Sequence, residues 1–473
     1  MSTTEAASAA ITVSSTRRWL ILAIVLIADV LDLLDSTITT IAAPTIAREL
    51  GGGNALVQWL GASYALALGV LLVVGGRLGD RFGRRRIFLI GIVGFTAASV
   101  ACGLSWSPES IIVARLLQGA FGAVLIPQGF GILGSVFSRD QIGKAFSLFG
   151  PVMGISAVGG PILAGFIIQA NLFGLGWRPM FLVNLVLGAI GIVAAFALLP
   201  KDSGDRAVSI DGIGSGLLAG TMLGLLYGLI AGSTDGWNAF AIVSVMLGLV
   251  FFALFVIRQR TAAMPLIEPS LFRNRGFTSG LLVGLAYFAA IAGLVYAFSL
   301  FLQGAMHYSA FDASLGLAPI SVGIIVASFA GFALIGRLGR RLIVIGLSVT
   351  LVGVGWFLVL VLAFGSAIVP AALIAPIFVI GLGMGACFGS IYDVAIGDIT
   401  PSEAGSASGS LSAVQQLANA IGAAVVTTLY FQLRASSGAD HAMVVALAVV
   451  GVLVALCFTL VGIMPKKAQP ENH

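Results

Sequence analysis

Apolar residues in this chain neither alternate with polar ones nor recur every third or fourth position. They run unbroken for about twenty residues at a time, between short loops rich in Arg, Gly and Pro. At a rise of about 1.5 Å per residue, a helix of that length crosses the ~30 Å hydrocarbon layer of a membrane. The runs give six spans between residues 19 and 199, two between 211 and 257, and six between 277 and 464, fourteen in all. A closed barrel is the other way to satisfy backbone hydrogen bonds in lipid, but it needs ten-residue alternating segments, which this pattern lacks. The expected fold is an all-α polytopic membrane protein with fourteen transmembrane helices.

Basic residues set the orientation, because Lys and Arg are retained on the cytoplasmic side. With the N-terminus inside, Arg48, Arg178 and Arg434 fall outside and Arg115 lies within a span, while the other 20 of the 24 basic residues fall inside. Both termini are therefore expected in the cytoplasm. The stretch Gly76-Arg77-Leu78-Gly79-Asp80-Arg81 after the second span returns as Gly336-Arg337-Leu338-Gly339-Arg340-Arg341 after the tenth. Recurrence after eight helices rather than six points to two six-helix halves with two helices inserted between them. Parallel repeats of this kind build transporters that hold substrate between the halves. The division expected is a cytoplasmic tail (1–18), an N-terminal six-helix bundle (19–200), two inserted helices (201–260), a cytoplasmic linker (261–276), a C-terminal six-helix bundle (277–464) and a second tail (465–473).

Composition narrows the function. Of 473 residues, 59% are hydrophobic and 9% charged, against ~25% charged in a soluble domain. Soluble enzymes, nucleic-acid binders and secreted disulfide scaffolds are excluded. Orientation and contact with anionic lipid headgroups account for the net charge of +5, so no nucleic-acid partner is needed. Cys102, Cys387 and Cys457 lie inside apolar runs without CxxC spacing, which argues against disulfides and a metal site. No His/Cys cluster, nucleophile with its base, or phosphate loop marks an enzyme, and no cofactor is expected. The first apolar run follows Arg17 and Arg18 and contains three aspartates, unlike a cleavable signal.

Those aspartates carry the first chemical signal. Asp29, Asp32 and Asp35 fan over about 120° of the helix, so all three can face one interior cavity. An ionisable group at that depth costs ~2.5 kcal/mol or more and marks function by default, although any of the three could be neutral and hydrogen-bonded to a neighbouring helix. Arg115 is the one basic residue inside a span, and it and Asp35 both lie roughly 9 to 10 Å from the outer ends of their spans, within reach of a direct or water-bridged pair. Asp35, Asp32 and Arg115 are therefore expected to govern competition between protons and substrate, with Asp29 near the midplane. Asp35→Asn is expected to leave folding largely intact and to abolish any transport driven by a pH gradient. In the thirteenth span Ser412, Gln415, Gln416 and Asn419 share one face, which suits substrate lining and interhelical hydrogen bonding equally. Gly76, Asp80, Arg81, Gly83 and Arg84 read as a conformational latch, with Asp80 pairing to an arginine or to the positive N-terminus of a facing helix. Gly150, Gly154, Gly160, Pro161 and Gly165 give the fifth span a bent, closely packed character suited to a hinge or a contact between halves.

These loops and spans resemble the major facilitator superfamily, and the count of fourteen is similar to its drug:proton antiporter branch. Residues 76–85 match the superfamily's loop between helices 2 and 3. Leu34-Asp35-Ser36-Thr37-Ile38 with Ala43-Pro44 is similar to the branch's first-helix motif, and Gln58-Trp59 with Tyr64 fits its second helix. Arg115, Gln118 and Gly119 match the fourth-helix motif linked to proton coupling, and Gly160-Pro161 the fifth-helix antiporter motif, which favours export. Ser156 and Ala164 stand where that motif usually has glycine, Thr40 replaces a customary asparagine, and Asp29 lies outside the shared pattern. The resemblance implies a major facilitator fold in a bacterial cytoplasmic (inner) membrane. It further implies a monomeric, proton-coupled multidrug efflux antiporter that exports lipophilic, cationic compounds by alternating access, driven by the proton gradient. Asp29, Asp32, Tyr64, Gln118, Gln415, Gln416 and Asn419 are its expected substrate-binding residues. The alternatives are a dedicated exporter of one endogenous metabolite or antibiotic, and a receptor or scaffold that moves nothing.

Overall fold

The computed structural model describes residues 14–205, 211–234, 236–308, 310–396, 399–400 and 403–465. Helices account for nearly all of them: α1 Ser15–Leu50, α2 Gly53–Phe82, α3 Arg84–Gly103, α4 Pro108–Val136, α5 Arg139–Ser147, α6 Phe149–Ala170, α7 Pro179–Leu198, α8 Gly212–Thr234 and α9 Ala239–Thr261. The second part of the chain adds α10 Pro269–Arg273, α11 Arg275–Gly304, α12 Ala310–Gly316, α13 Ala318–Leu338, α14 Arg340–Phe364, α15 Pro370–Ile396, α16 Ala404–Ser437 and α17 Ala439–Val461. Fourteen of these have 20 residues or more, and among the described residues ten stretches are apolar enough as well as long enough to cross a membrane. On α9, Met246, Val250 and Ile257 are all more than half exposed, which water would penalise and hydrocarbon does not.

Helix ends follow local chemistry. Ser107 and Ser110 form a capping box ahead of α4, with Pro108 pre-set for the first turn. The side chains of Asn238 and Asn274 cap α9 and α11, accepting from the backbone N–H of Ala241 and of Phe277. Cys102, Cys387 and Cys457 are free and buried.

Packing sorts the long helices into two groups. In the first, α4 lies on α2 and α3, α7 on α3, and α1 on α6 and α7; in the second, α15 lies on α13 and α14, and α11 on α16 and α17. The groups meet where α2 and α4 touch α16, α6 touches α13, and α5 reaches α13 and α15. The hairpin of α8 and α9 stands on one flank, with α8 against both α2 and α16. Arg258 clips that hairpin to Asp211 at 3.0 Å, and its hydrogen bonds hold the Asp211 carboxyl below its usual range.

The repeated loop has a different register from the one its sequence suggests. The turn between α2 and α3 is made at Gly83 (φ 92°), and the turn between α13 and α14 at Gly339 (φ 48°). Only glycine adopts such angles without strain. Arg81-Phe82-Gly83-Arg84-Arg85 therefore corresponds to Arg337-Leu338-Gly339-Arg340-Arg341, four residues from the expected pairing, and Asp80 is matched by Gly336. The acidic member of the latch belongs to the first group alone.

Candidate transport site and inner gate

A charge cluster is sealed inside the first group of helices. Asp35 and Arg115 are each 1% exposed and form an ion pair. Three elements complete it. Gln118 of α4 accepts from Arg115 at 2.7 Å and donates to Asp35 at 2.8 Å. Asn184 of α7 donates to the same Asp35 oxygen at 2.7 Å, and Ser99 of α3 accepts from Gln118 at 2.5 Å and from Asn184 at 3.1 Å. The Arg115 guanidinium also donates to the Leu60 carbonyl at 3.0 Å and lies over the Tyr64 ring, 4.4 Å from its centre. A buried charge needs this degree of pairing. Asn184 and Ser99 are absent from the sequence-based set of site residues; the signal available was one amide in the apolar run of α7. Asn184→Leu should remove one donor to the Asp35 carboxylate and cost about 1–3 kcal/mol, read as a lowered unfolding temperature in detergent.

The three aspartates do not share one cavity. Asp35 belongs to the sealed cluster, and Asp32 accepts a hydrogen bond from the Tyr64 hydroxyl. Asp29 faces a void of about 10 Å³ beside Phe88, Phe130 and Phe149, too small for any cargo. Successive three-residue steps give each carboxylate different neighbours, Arg115, Gln118 and Asn184 for Asp35, Tyr64 for Asp32, and Phe88, Phe130 and Phe149 for Asp29.

The large cavity, about 880 Å³, lies between the groups. Gln415, Gln416 and Asn419 of α16 line it opposite Thr39 and Gly61, with Tyr287, Phe288 and Phe388 supplying aromatic wall. Leu226, Ile230 and Ser233 of α8 form part of the lining, so an inserted helix contributes to the site. Tyr64 and Gln118, expected to meet substrate, are buried in the charge cluster instead, because the Arg115 guanidinium claims both. Among the described residues, no carboxylate lines the cavity. Its lining extends to Ser233, Leu300 and Phe431 near the ends of α8, α11 and α16. Those ends lie opposite the basic loops, and the positive-inside rule makes them the outer side.

At the basic end the groups are shut together. Phe149, Phe130, Tyr392 and Phe388 form a continuous file of rings with centres 5.2, 5.2 and 5.0 Å apart, running from the void beside Asp29 to the cavity floor. The Tyr392 hydroxyl donates to Gln415 at 2.8 Å. Closer to the basic loops, Ser408 donates to the Pro127 carbonyl at 3.2 Å, and Gly76 lies so near Gly405 that a Cβ would collide with the Gly405 carbonyl oxygen. Asp80 pairs with Arg84 at 2.9 Å and also meets the first turn of α16, where the Ser406 backbone N–H is directed at it. Arg84 donates in turn to the Gly131 carbonyl at 2.8 Å. Among the described residues Arg81 makes no such bridge; it stacks on Phe82, 5.4 Å from the ring centre. Arg77, outside the expected latch set, pairs with Glu268 at 2.9 Å and so ties α2 to the segment before α10.

On α6, Gly150 and Gly154 leave room for Ser328 and Ser321 of α13, while Gly160 leaves room for Thr37 of α1. Gly165 is half-buried. The side chains of Pro161, Thr40 and Gln58 lie outside the described residues.

Two helix bundles embedded in lipid, with a cavity between them open to one side and shut on the other, define a secondary transporter. The sequence profile of the Major Facilitator Superfamily matches residues 25–214 and again 204–423, and the chain belongs to that family. It is 42% identical over 428 residues to the "Probable actinorhodin transporter" of Streptomyces coelicolor, covering 89% of this chain and 74% of that one. It is 29% identical over 435 residues to "Multidrug efflux pump LfrA" of Mycolicibacterium smegmatis, covering 91% and 84%. The fold superposes with a TM-score of 0.67 at 15% identity on the proton:xylose symporter XylE, covering 94% of this chain and 95% of that one. The chain is therefore a transporter of small molecules rather than an enzyme, and a multi-pass protein of the bacterial inner membrane.

Proposed function

We propose that this transporter is a proton-coupled antiporter that exports lipophilic, cationic compounds of several kinds from the cytoplasm. The observation that carries the reading is the separation of Asp29 from the outward cavity by the file of rings. With the basic end closed, a cation in the 880 Å³ cavity meets amides and rings but no carboxylate among the described residues, an arrangement suited to release. Parting of the rings on the cytoplasmic side would expose Asp29 to arriving cargo, with Phe130 and Phe149 offering ring faces to a cation. Asp32, hydrogen-bonded to Tyr64 between Asp29 and the Asp35–Arg115 pair, takes the proton. The ion pair holds the local field that sets when that proton leaves.

Proteoliposomes loaded by an imposed pH gradient test this. A fluorescent planar cation should accumulate against its gradient in the wild type and not in Asp32→Asn, and accumulation that ignores external pH would sink proton coupling. A second reading, export of a single antibiotic, is favoured by the 42% identity to the Streptomyces coelicolor protein. Protection of a host against one compound alone in a drug panel would select it.

A further inference from the structure

On the lipid side of the first helix group, at its basic end, a groove of about 830 Å³ runs between the start of α3 and the segment after α7. One wall is apolar, built from Leu89, Ile90 and Val93 of α3 and Phe121 of α4, with Ile90 46% and Val93 49% exposed. Gly94 makes the notch, since a Cβ there would collide with the Phe121 ring. The other end holds Arg85, Arg86, Lys201 and Asp202. Asp202 is already engaged by the backbone N–H groups of Arg84 at 2.5 Å and Arg85 at 3.1 Å. Arg85 donates to the Phe196 carbonyl at 2.6 Å and stacks on that ring. Arg86 and Lys201 are exposed, and among the described residues neither is paired with a carboxylate.

We propose that this groove binds an anionic phospholipid, with its phosphate between Arg86 and Lys201 and one acyl chain along Ile90, Val93 and Phe121. The groove lies at the cytoplasmic interface, where anionic headgroups meet basic residues. Free phosphate would use only the charged end, and the apolar wall is what selects a lipid. Binding reaches the latch through the backbone. The segment that carries Lys201 and Asp202 continues to Gly204, packed against Gly83, and to Asp205, whose N–H donates to the Asp80 carbonyl at 2.9 Å. A phosphate bridging Arg86 and Lys201 fastens that segment to the turn after Asp80. This site is independent of the proton and cargo assignments.

The full-length protein, stripped of lipid in detergent, is titrated with phosphatidylglycerol or phosphatidylcholine and read by native mass spectrometry. One phosphatidylglycerol per chain should be held more tightly than phosphatidylcholine. Arg86→Ala with Lys201→Ala should weaken it roughly thirty-fold, about five-fold per cation. Val93→Trp, which fills the groove and keeps the charges, should weaken it too, while Arg337→Ala with Arg341→Ala should not, and excess inorganic phosphate should leave it in place. Equal retention of the two lipids by the wild type, or undiminished retention in both groove variants, overturns the proposal. Displacement by inorganic phosphate also overturns it and leaves an anion site without a lipid.

Discussion

Asp35→Asn will destabilise the protein by about 3–5 kcal/mol as well as abolish pH-driven efflux, because it strands a buried guanidinium. The sequence alone suggested that folding would be spared. The structure gives the reason for the change: Asp35 accepts from Arg115, Gln118 and Asn184, whereas an asparagine offers one oxygen and turns an NH₂ toward donors that have nowhere else to go. Removing both charges separates the two effects. Asp35→Asn with Arg115→Gln should recover most of the thermal stability lost by the single variant and still fail to drive efflux. Recovery of pH-driven efflux along with stability would mean that the pair is only a structural tie between α1 and α4.

Gly76→Val should reduce efflux by an order of magnitude or more with little loss of thermal stability, because the side chain collides with the Gly405 carbonyl and prevents α2 from closing on α16. The outward-open state would be depopulated and the inward-open one favoured. Spin labels on the basic ends of α2 and α16 should report a longer separation than in the wild type. An unchanged distance with normal efflux would show that this contact does not hold the gate.

How much of this could be read beforehand depends on the length scale of each signal. Long apolar runs announce helices because hydrocarbon leaves no other place for them, and the Asp35–Arg115 contact follows from depth along two helices. The meeting of Asp80 with the first turn of α16 was legible as a type of partner, though not as a particular helix. Details set by helix rotation were not. Tyr64 and Gln118 turn toward Arg115 rather than the cavity, and the three aspartates diverge, because neighbouring helices fix the azimuth that the sequence leaves free. Phe130, Phe149, Phe388 and Tyr392 are indistinguishable from ordinary apolar residues until two helix groups bring them into file. Gly83 and Gly339 carried the true register, but Gly76, Gly79 and Gly336 supplied an equally good match, and only backbone angles tell a turn glycine from a packing glycine.

The ring layer also sets an energy scale. Among the described residues, two ring contacts join the helix groups, Phe130–Tyr392 at 5.2 Å and Phe146–Tyr392 at 6.1 Å; Phe130–Phe149 and Phe388–Tyr392 stay within one side. At about 0.5–1.5 kcal/mol per pair beyond the burial of ring area, the two contacts contribute on the order of 1–3 kcal/mol to holding the layer shut. A tenfold difference in hydrogen-ion concentration is worth about 1.4 kcal/mol per ion. On the proposed proton coupling, one or two ions would supply a free energy of the same size as this ring-pairing contribution, and stacked rings can part and meet again without remaking a directional bond.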